Sequence, residues 1–270
     1  MSNILLFNGL AYSLTGIFAG LMAGLLGIGG GIIVVPALLF LFEQNPLITN
    51  ELAPHLAVGS SLAVMVFSSL AAIWAHHQRA NVSWPLFNHV WPGLATGVML
   101  AAAIARILPA YWLKALLGIF LVGAAIRMRS GLPSRTQGSF PAAWINHSFS
   151  LFTGFISGLL GIGGGLIIVP YLAYCGVDIK KIAGISALCT LTVGAIGCIA
   201  FTIAGYTDTQ LPSGACGYVY WPAVLPIAVS SILFAPAGVS LNYRLPVKQL
   251  NYIFIFMLIV TAVHLLWDFF

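Results

Sequence analysis

Apolar stretches of roughly 20 residues recur along the whole chain between short polar turns, and a helix of that length crosses about 30 Å of hydrocarbon. No segment reads as a separate soluble domain. Inside this pattern GLLGIGGG occurs twice, at Gly24–Gly31 and at Gly158–Gly165, and each copy leads through an apolar run to a proline. Glycine is a poor helix former, so two such clusters within membrane-length apolar segments require a reason.

Writing GLMAGLLGIGGGIIVVPALL (Gly20–Leu39) over GFISGLLGIGGGLIIVPYLA (Gly154–Ala173) aligns every glycine and the proline at a constant offset of 134 residues. Weaker matches follow: AVGSSLAV (Ala57–Val64) with AGISALCT (Ala183–Thr190), Trp91–Pro92 with Leu225–Pro226, and RILPAYWLK with the NYRLPVKQL region. The chain therefore reads as two homologous halves, 1–135 and 136–270, forming one integral membrane domain. The fold class expected is all-α and polytopic, each half holding a Gly-rich broken or re-entrant segment plus three transmembrane helices.

Charge bears on how the halves are oriented. If each glycine segment is one plain crossing, giving eight spans, Arg79, Arg127, Arg129 and Arg135 face one side. Arg106, Lys114, Lys180, Lys181, Arg244 and Lys248 then face the other, and four against six selects no orientation. If each GIGGG is the tip of a hairpin that enters and leaves on one side, eight cations collect together and only Arg106 and Lys114 lie opposite. That bias favours the second arrangement, which inverts one half relative to the other and puts both termini outside the inner (cytoplasmic) membrane. The run Ile32–Phe42 agrees, since 11 residues make roughly 16 Å of helix. The arm Ile4 to Leu26 pulls the other way, being long enough to span alone.

Composition fixes the solvent: 60% of the 270 residues are hydrophobic and 6% charged, with mean hydropathy +1.04, against about 25% charged in a soluble domain. The start, MSNILLFNGLAYSLTG, has no Lys or Arg before its apolar run and no small-residue cleavage site, so it reads as part of the mature fold. The four cysteines have no CxxC spacing and read as small packing side chains. There is no GxxxxGK[ST] loop, no HExxH and no His/Cys/Asp cluster at metal spacing, so neither an enzyme nor a cofactor or metal site is expected. The formal charge of +5 comes from interfacial residues that set topology; it favours anions at the cytoplasmic mouth and does not argue for nucleic acid.

A GIGGG run ends one helix and starts another near Ile32 or Leu166, and the first turn of a helix offers unpaired amides with partial positive charge. Aimed at the midplane, such ends hold an anion without a lysine in the membrane. The expected binding set is Gly27, Gly29, Gly30, Gly31 and Ile32 from one break, with Gly161, Gly163, Gly164, Gly165 and Leu166 from the other. Ser60, Ser61, Ser186 and Thr190 are expected near the midplane, as anion donors or bonded back to their own helix. For Gly20, Gly24, Gly154 and Gly158, close helix packing explains the spacing better.

His76, His77 and Arg79 close the helix after Leu52, with an interfacial role as the default and a gate as the alternative. His55, His89, His147 and His264 read as interfacial. No carboxylate falls in mid-helix, so a buried proton relay is not visible.

On its paired GLLGIGGGxxxVP segments (Gly24–Pro36 and Gly158–Pro170), AVGSSLAV and the small-rich PGLATGVMLAAAIARILP, the chain resembles the TauE/SafE sulfite exporter family of anion permeases. The resemblance covers almost the whole chain. It implies secondary transport of sulfur-containing anions such as sulfite, sulfoacetate or thiosulfate, usually outward. The expected partners are a small anion, the bilayer and, as an open option, further copies of the chain. Uptake, a neutral substrate, or a non-transporting scaffold are the competing readings.

Overall fold

The computed structural model describes residues 2–26, 29–79, 81–129, 141–242 and most of 255–265. These residues are mostly helical. In chain order the helices are α1 (Ser2–Leu26), α2 (Gly31–Glu43), α3 (Ala53–His77), α4 (Trp84–Asn88), α5 (Trp91–Ala105) and α6 (Ala110–Arg129). Then come α7 (Ala143–Leu160), α8 (Gly165–Tyr174) and α9 (Ile179–Gly205), a two-strand hairpin of β1 (Ala215–Cys216) and β2 (Val219–Tyr220), and α10 (Trp221–Asn242). The helices α3, α6, α9 and α10 are long and apolar enough to cross a membrane, whereas α2, α5 and α8 are shorter.

α3 is the axial helix. It buries Leu56, Leu62 and Met65 completely, whereas α6 exposes Trp112, Ile119 and Ile126, as a lipid-facing helix does. His55, near the start of α3, hydrogen-bonds the carbonyls of Ala105 and Leu108 through Nε2 (3.1 and 3.2 Å). Arg79, just past its end, lies about 36 Å further along the helix axis. These two residues mark opposite ends of the molecule.

Contacts give each element its direction. α10 starts beside the hairpin at the His55 end and finishes where Arg79 bonds the Val239 carbonyl. α1 packs parallel to it: a Cβ on Gly20 would lie 2.5 Å from the Ser231 carbonyl, and Gly16 and Gly24 meet Ile227 and Ala235. The same contact recurs between α5 and α7, where Gly97 meets Leu151 and Gly154 meets Leu94. Small residues four apart let the backbones touch, and dispersion at that distance supplies helix association in lipid. The pairing crosses the halves, since α1 holds α10 and α7 holds α5.

After α1 the chain turns back. Gly30 lies against the Ala19 carbonyl, and α2 leads to Glu43, which pairs with Lys114 at the His55 end. After α7 the chain turns back as well, and α8 brings the Tyr171 hydroxyl to Asn146 Oδ1, with Tyr171 stacked on Phe149 at 4.1 Å between ring centroids. Pro36 and Pro170 each stand five residues past the start of α2 and α8; lacking an N–H, each leaves one carbonyl of the preceding turn unpaired.

Lys181 belongs with Arg79: Gly184 packs on the Asn81 carbonyl, so α9 begins at that end. Arg127 and Arg129 close α6 there too, while Arg106 and Lys114 stand at the other end with His55. Arg135, Arg244 and Lys248 lie outside the described residues.

Candidate functional site

The two glycine breaks meet. A Cβ on Gly31 would lie 2.6 Å from the Gly161 carbonyl oxygen and 3.2 Å from Ile162 Cα. Gly161 takes a left-handed φ of 65°, which ends α7, and Gly29 and Gly30 take 75° and 71° ahead of α2. That conformation costs an L side chain roughly 1 kcal/mol or more.

α3 holds both breaks by their carbonyls. Ser61 Oγ donates to the Gly161 carbonyl at 2.8 Å, and Ser68 Oγ donates to the Gly29 carbonyl at 3.1 Å. All four atoms are buried, so each bond removes a desolvation cost of about 1–3 kcal/mol. Ser61 thus bonds the opposite half and not its own helix. Ser60 accepts the Tyr220 N–H at 2.9 Å. Ser68 was not anticipated, although the doublets Ser60–Ser61 and Ser68–Ser69, two helical turns apart, carried the signal.

The remaining expected residues divide by place. Thr190 lies against Gly29, and Thr190 and Ser186 are fully buried on α9. Ile32 is buried and Leu166 half-buried, while Gly163, Gly164 and Gly165 are buried. Gly27 lies outside the described residues. Among the described residues, nothing accepts a hydrogen bond from the amides of Gly30, Gly31 and Ile32, or from those of Gly164, Gly165 and Leu166.

Two of the histidines are buried in the protein, His55 and His76. His55 is buried against Tyr218, with ring centroids 5.2 Å apart. His76 is wholly buried. His77 is exposed. Arg79 reaches across to α10 and bonds the Val239 carbonyl and Ser240 Oγ, each at 3.0 Å. The trio therefore splits into a buried ring, a surface ring and an interhelix clasp.

A cavity of about 820 Å³ opens at the other end, lined by His55, Arg106, Lys114, Asp208 and Tyr218 among others. Arg106 bonds Thr207 Oγ1 at 3.2 Å. Burial and the neighbouring Asp208, which accepts its hydroxyl proton, push the Tyr218 phenol up, so it stays neutral and donating. Between cavity and breaks lies the β1–β2 hairpin, with the Tyr218 carbonyl on Gly59 and the Tyr220 amide on Ser60. Sequence reading missed this hairpin; its trace is GACGYVY, where Gly214 and Gly217 both take positive φ.

The profile of the sulfite exporter TauE/SafE family matches residues 12–265. The chain belongs to that family. Among its relatives, a probable membrane transporter protein of Haemophilus influenzae is 30% identical over 255 residues, covering 93% of this chain and 96% of the relative. One from Methanocaldococcus jannaschii is 28% identical, with 88% of each chain covered. A third, from Bacillus subtilis, is 22% identical over 94% of this chain and 95% of its own length. No solved structure matches. This TauE/SafE member is a multi-pass membrane transporter, and the paired glycine breaks stand inside its matched region.

Proposed function

We propose that this transporter moves small sulfur-containing oxyanions, such as sulfite, sulfoacetate or thiosulfate, out across the cytoplasmic membrane by alternating access. The observation that carries the reading is the contact of the two breaks: the start of α2 lies against the Gly161–Ile162 segment that leads into α8, and the opening amides of both helices are unpartnered among the described residues. Each such terminus carries about half a unit of positive charge, and the pair attracts an anion without a lysine in the membrane.

The halves are inverted repeats in this reading. Support comes from the opposite directions in which α2 and α8 leave their breaks, and from Arg79, Arg127, Arg129 and Lys181 standing together. That cationic end is cytoplasmic by the positive-inside rule, which puts the termini outside. The cavity over the hairpin is then the outer mouth, and the Arg79 clasp closes the inner one. Rocking of one hairpin against the other exposes the breaks alternately to each side.

The test is efflux from proteoliposomes loaded in turn with sulfite, sulfoacetate, thiosulfate, acetate and an uncharged sugar. Protein-dependent loss of one or more sulfur anions, abolished by Gly164→Leu, is the expected result. Efflux of the uncharged sugar alone, or of nothing, would overturn the anion reading.

A further inference from the structure

We infer that the oxyanion is held on one side, at the second break, by the amides opening α8 together with the Ser157 hydroxyl. The inference rests on the reading that the breaks hold an anion, and it changes that reading from a shared grip to an asymmetric one.

Gly164 is the first reason. It is buried, yet its backbone (φ −57°, ψ −11°) suits any residue. A Cβ there would meet nothing closer than 3.7 Å, the neighbours being Ser157 Oγ, Thr153 Cγ2 and Leu94 Cδ2. Neither conformation nor packing asks for glycine at this position. Gly30 of the first break differs on both counts, with φ 71° and a Cβ that would lie 2.6 Å from the Ala19 carbonyl. What a methyl on Gly164 would obstruct is approach to the amides around it.

Ser157 is the second reason. Its side chain is 3% exposed, points to the same space beside Gly164, and its hydroxyl has no partner among the described residues. Buried hydroxyls in membrane helices ordinarily bond back to their own helix. Thr153, one turn earlier, does so, donating to the Phe149 carbonyl at 2.8 Å. Ser157 instead keeps its hydrogen available next to the amides of Gly163, Gly164, Gly165 and Leu166, which likewise meet no acceptor among the described residues.

Comparison of the halves is the third reason. Asn146, Ser150, Thr153 and Ser157 fall on one face of α7 and are all at least 97% buried. At the same offset of 134 the first half has Tyr12, Gly16, Ala19 and Ala23. Buried hydroxyls are costly unless they meet a partner, and α7 carries them ahead of its break at positions where α1 has glycine or alanine. Ser150 Oγ is also without a partner among the described residues.

The ligand class follows from the donors. Amides and a hydroxyl without a cationic side chain suit a compact anion whose several oxygens face one way, the sulfite or thiosulfate head. They supply nothing for a second charged group.

The experiment uses the full chain in detergent, with sodium sulfite, thiosulfate and sulfate against sodium chloride at equal ionic strength. Affinity is read from the rise of the unfolding midpoint with anion concentration. Gly164→Ala and Ser157→Ala are expected to unfold as wild type without anion and to bind about tenfold or more weakly; Ala23→Ser is expected to bind as wild type. Should Gly164→Ala unfold early, Ser157→Ala decides. Wild-type affinity in Ser157→Ala and Gly164→Ala overturns the one-sided site and leaves the anion reading standing. A wild-type midpoint indifferent to every anion overturns the anion reading, and the inference with it.

Discussion

Gly31 of α2 rests on the carbonyl of Gly161, 130 positions later in the chain, at a distance that admits no side chain on Gly31. Through this contact the two halves touch at the point where each has lost its helix.

Substitution of Gly31 by Ala forces backbone or Met65 to move and should cost about 1–3 kcal/mol, lowering the unfolding midpoint in detergent. Gly123 of α6 has nothing within 4 Å of its Cβ position, so Gly123→Ala should hold the midpoint or raise it slightly. Equal midpoints for the two variants would contradict the close contact.

Ser61→Ala strips the Gly161 carbonyl of its donor inside the protein. The expected loss is about 1–3 kcal/mol, read as a lower midpoint. Thr96→Ala is the comparison: its exposed hydroxyl bonds the carbonyls of Pro92 and Gly93 on its own helix, and its removal should change little.

Sidedness is checked by single cysteines at positions 79, 181, 106 and 111 in a chain whose four native cysteines are replaced. An impermeant maleimide added to sealed vesicles of one orientation should label 79 and 181 together and leave 106 and 111, or the reverse. Labelling of 181 with 106 would support eight plain spans instead.

The Arg79 clasp uses two N–H groups on one planar guanidinium, which a lysine cannot reproduce. Arg79→Lys and Arg79→Gln should each loosen the end of α10, raising the reactivity of a cysteine at position 240 several-fold toward a cytoplasmic probe. The effect on the midpoint should stay within about 1 kcal/mol, as the bonds lie near the surface.

Much of the architecture was legible in the residues. The doubled GIGGG with its proline announced two helix breaks 134 residues apart, and the structure breaks its helices there. Gly20, Gly24, Gly154 and Gly158 announced close packing and have it. The partner of each stripe was not legible, because a face of small residues fits any backbone; that α1 takes α10 and α7 takes α5 follows from how the whole bundle closes. The sequence left Ser61 open between donating to an anion and bonding its own helix, and only the packing of the halves sets its hydroxyl on the Gly161 carbonyl. His55 and His76 looked like helix-end residues, and only the packing around them shows both buried.

Taken alone, the sequence determined the solvent, the repeat and the places where helices stop, because hydropathy and backbone preference are properties of a residue and its near neighbours. Tertiary structure decided which hydroxyl meets which carbonyl. The Ser157–Gly164 neighbourhood shows the difference. Alanine at positions 19 and 23 against threonine and serine at 153 and 157 stood in the sequence throughout, yet that contrast acquires meaning only when the chain turns back and sets the face of α7 beside the opening amides of α8.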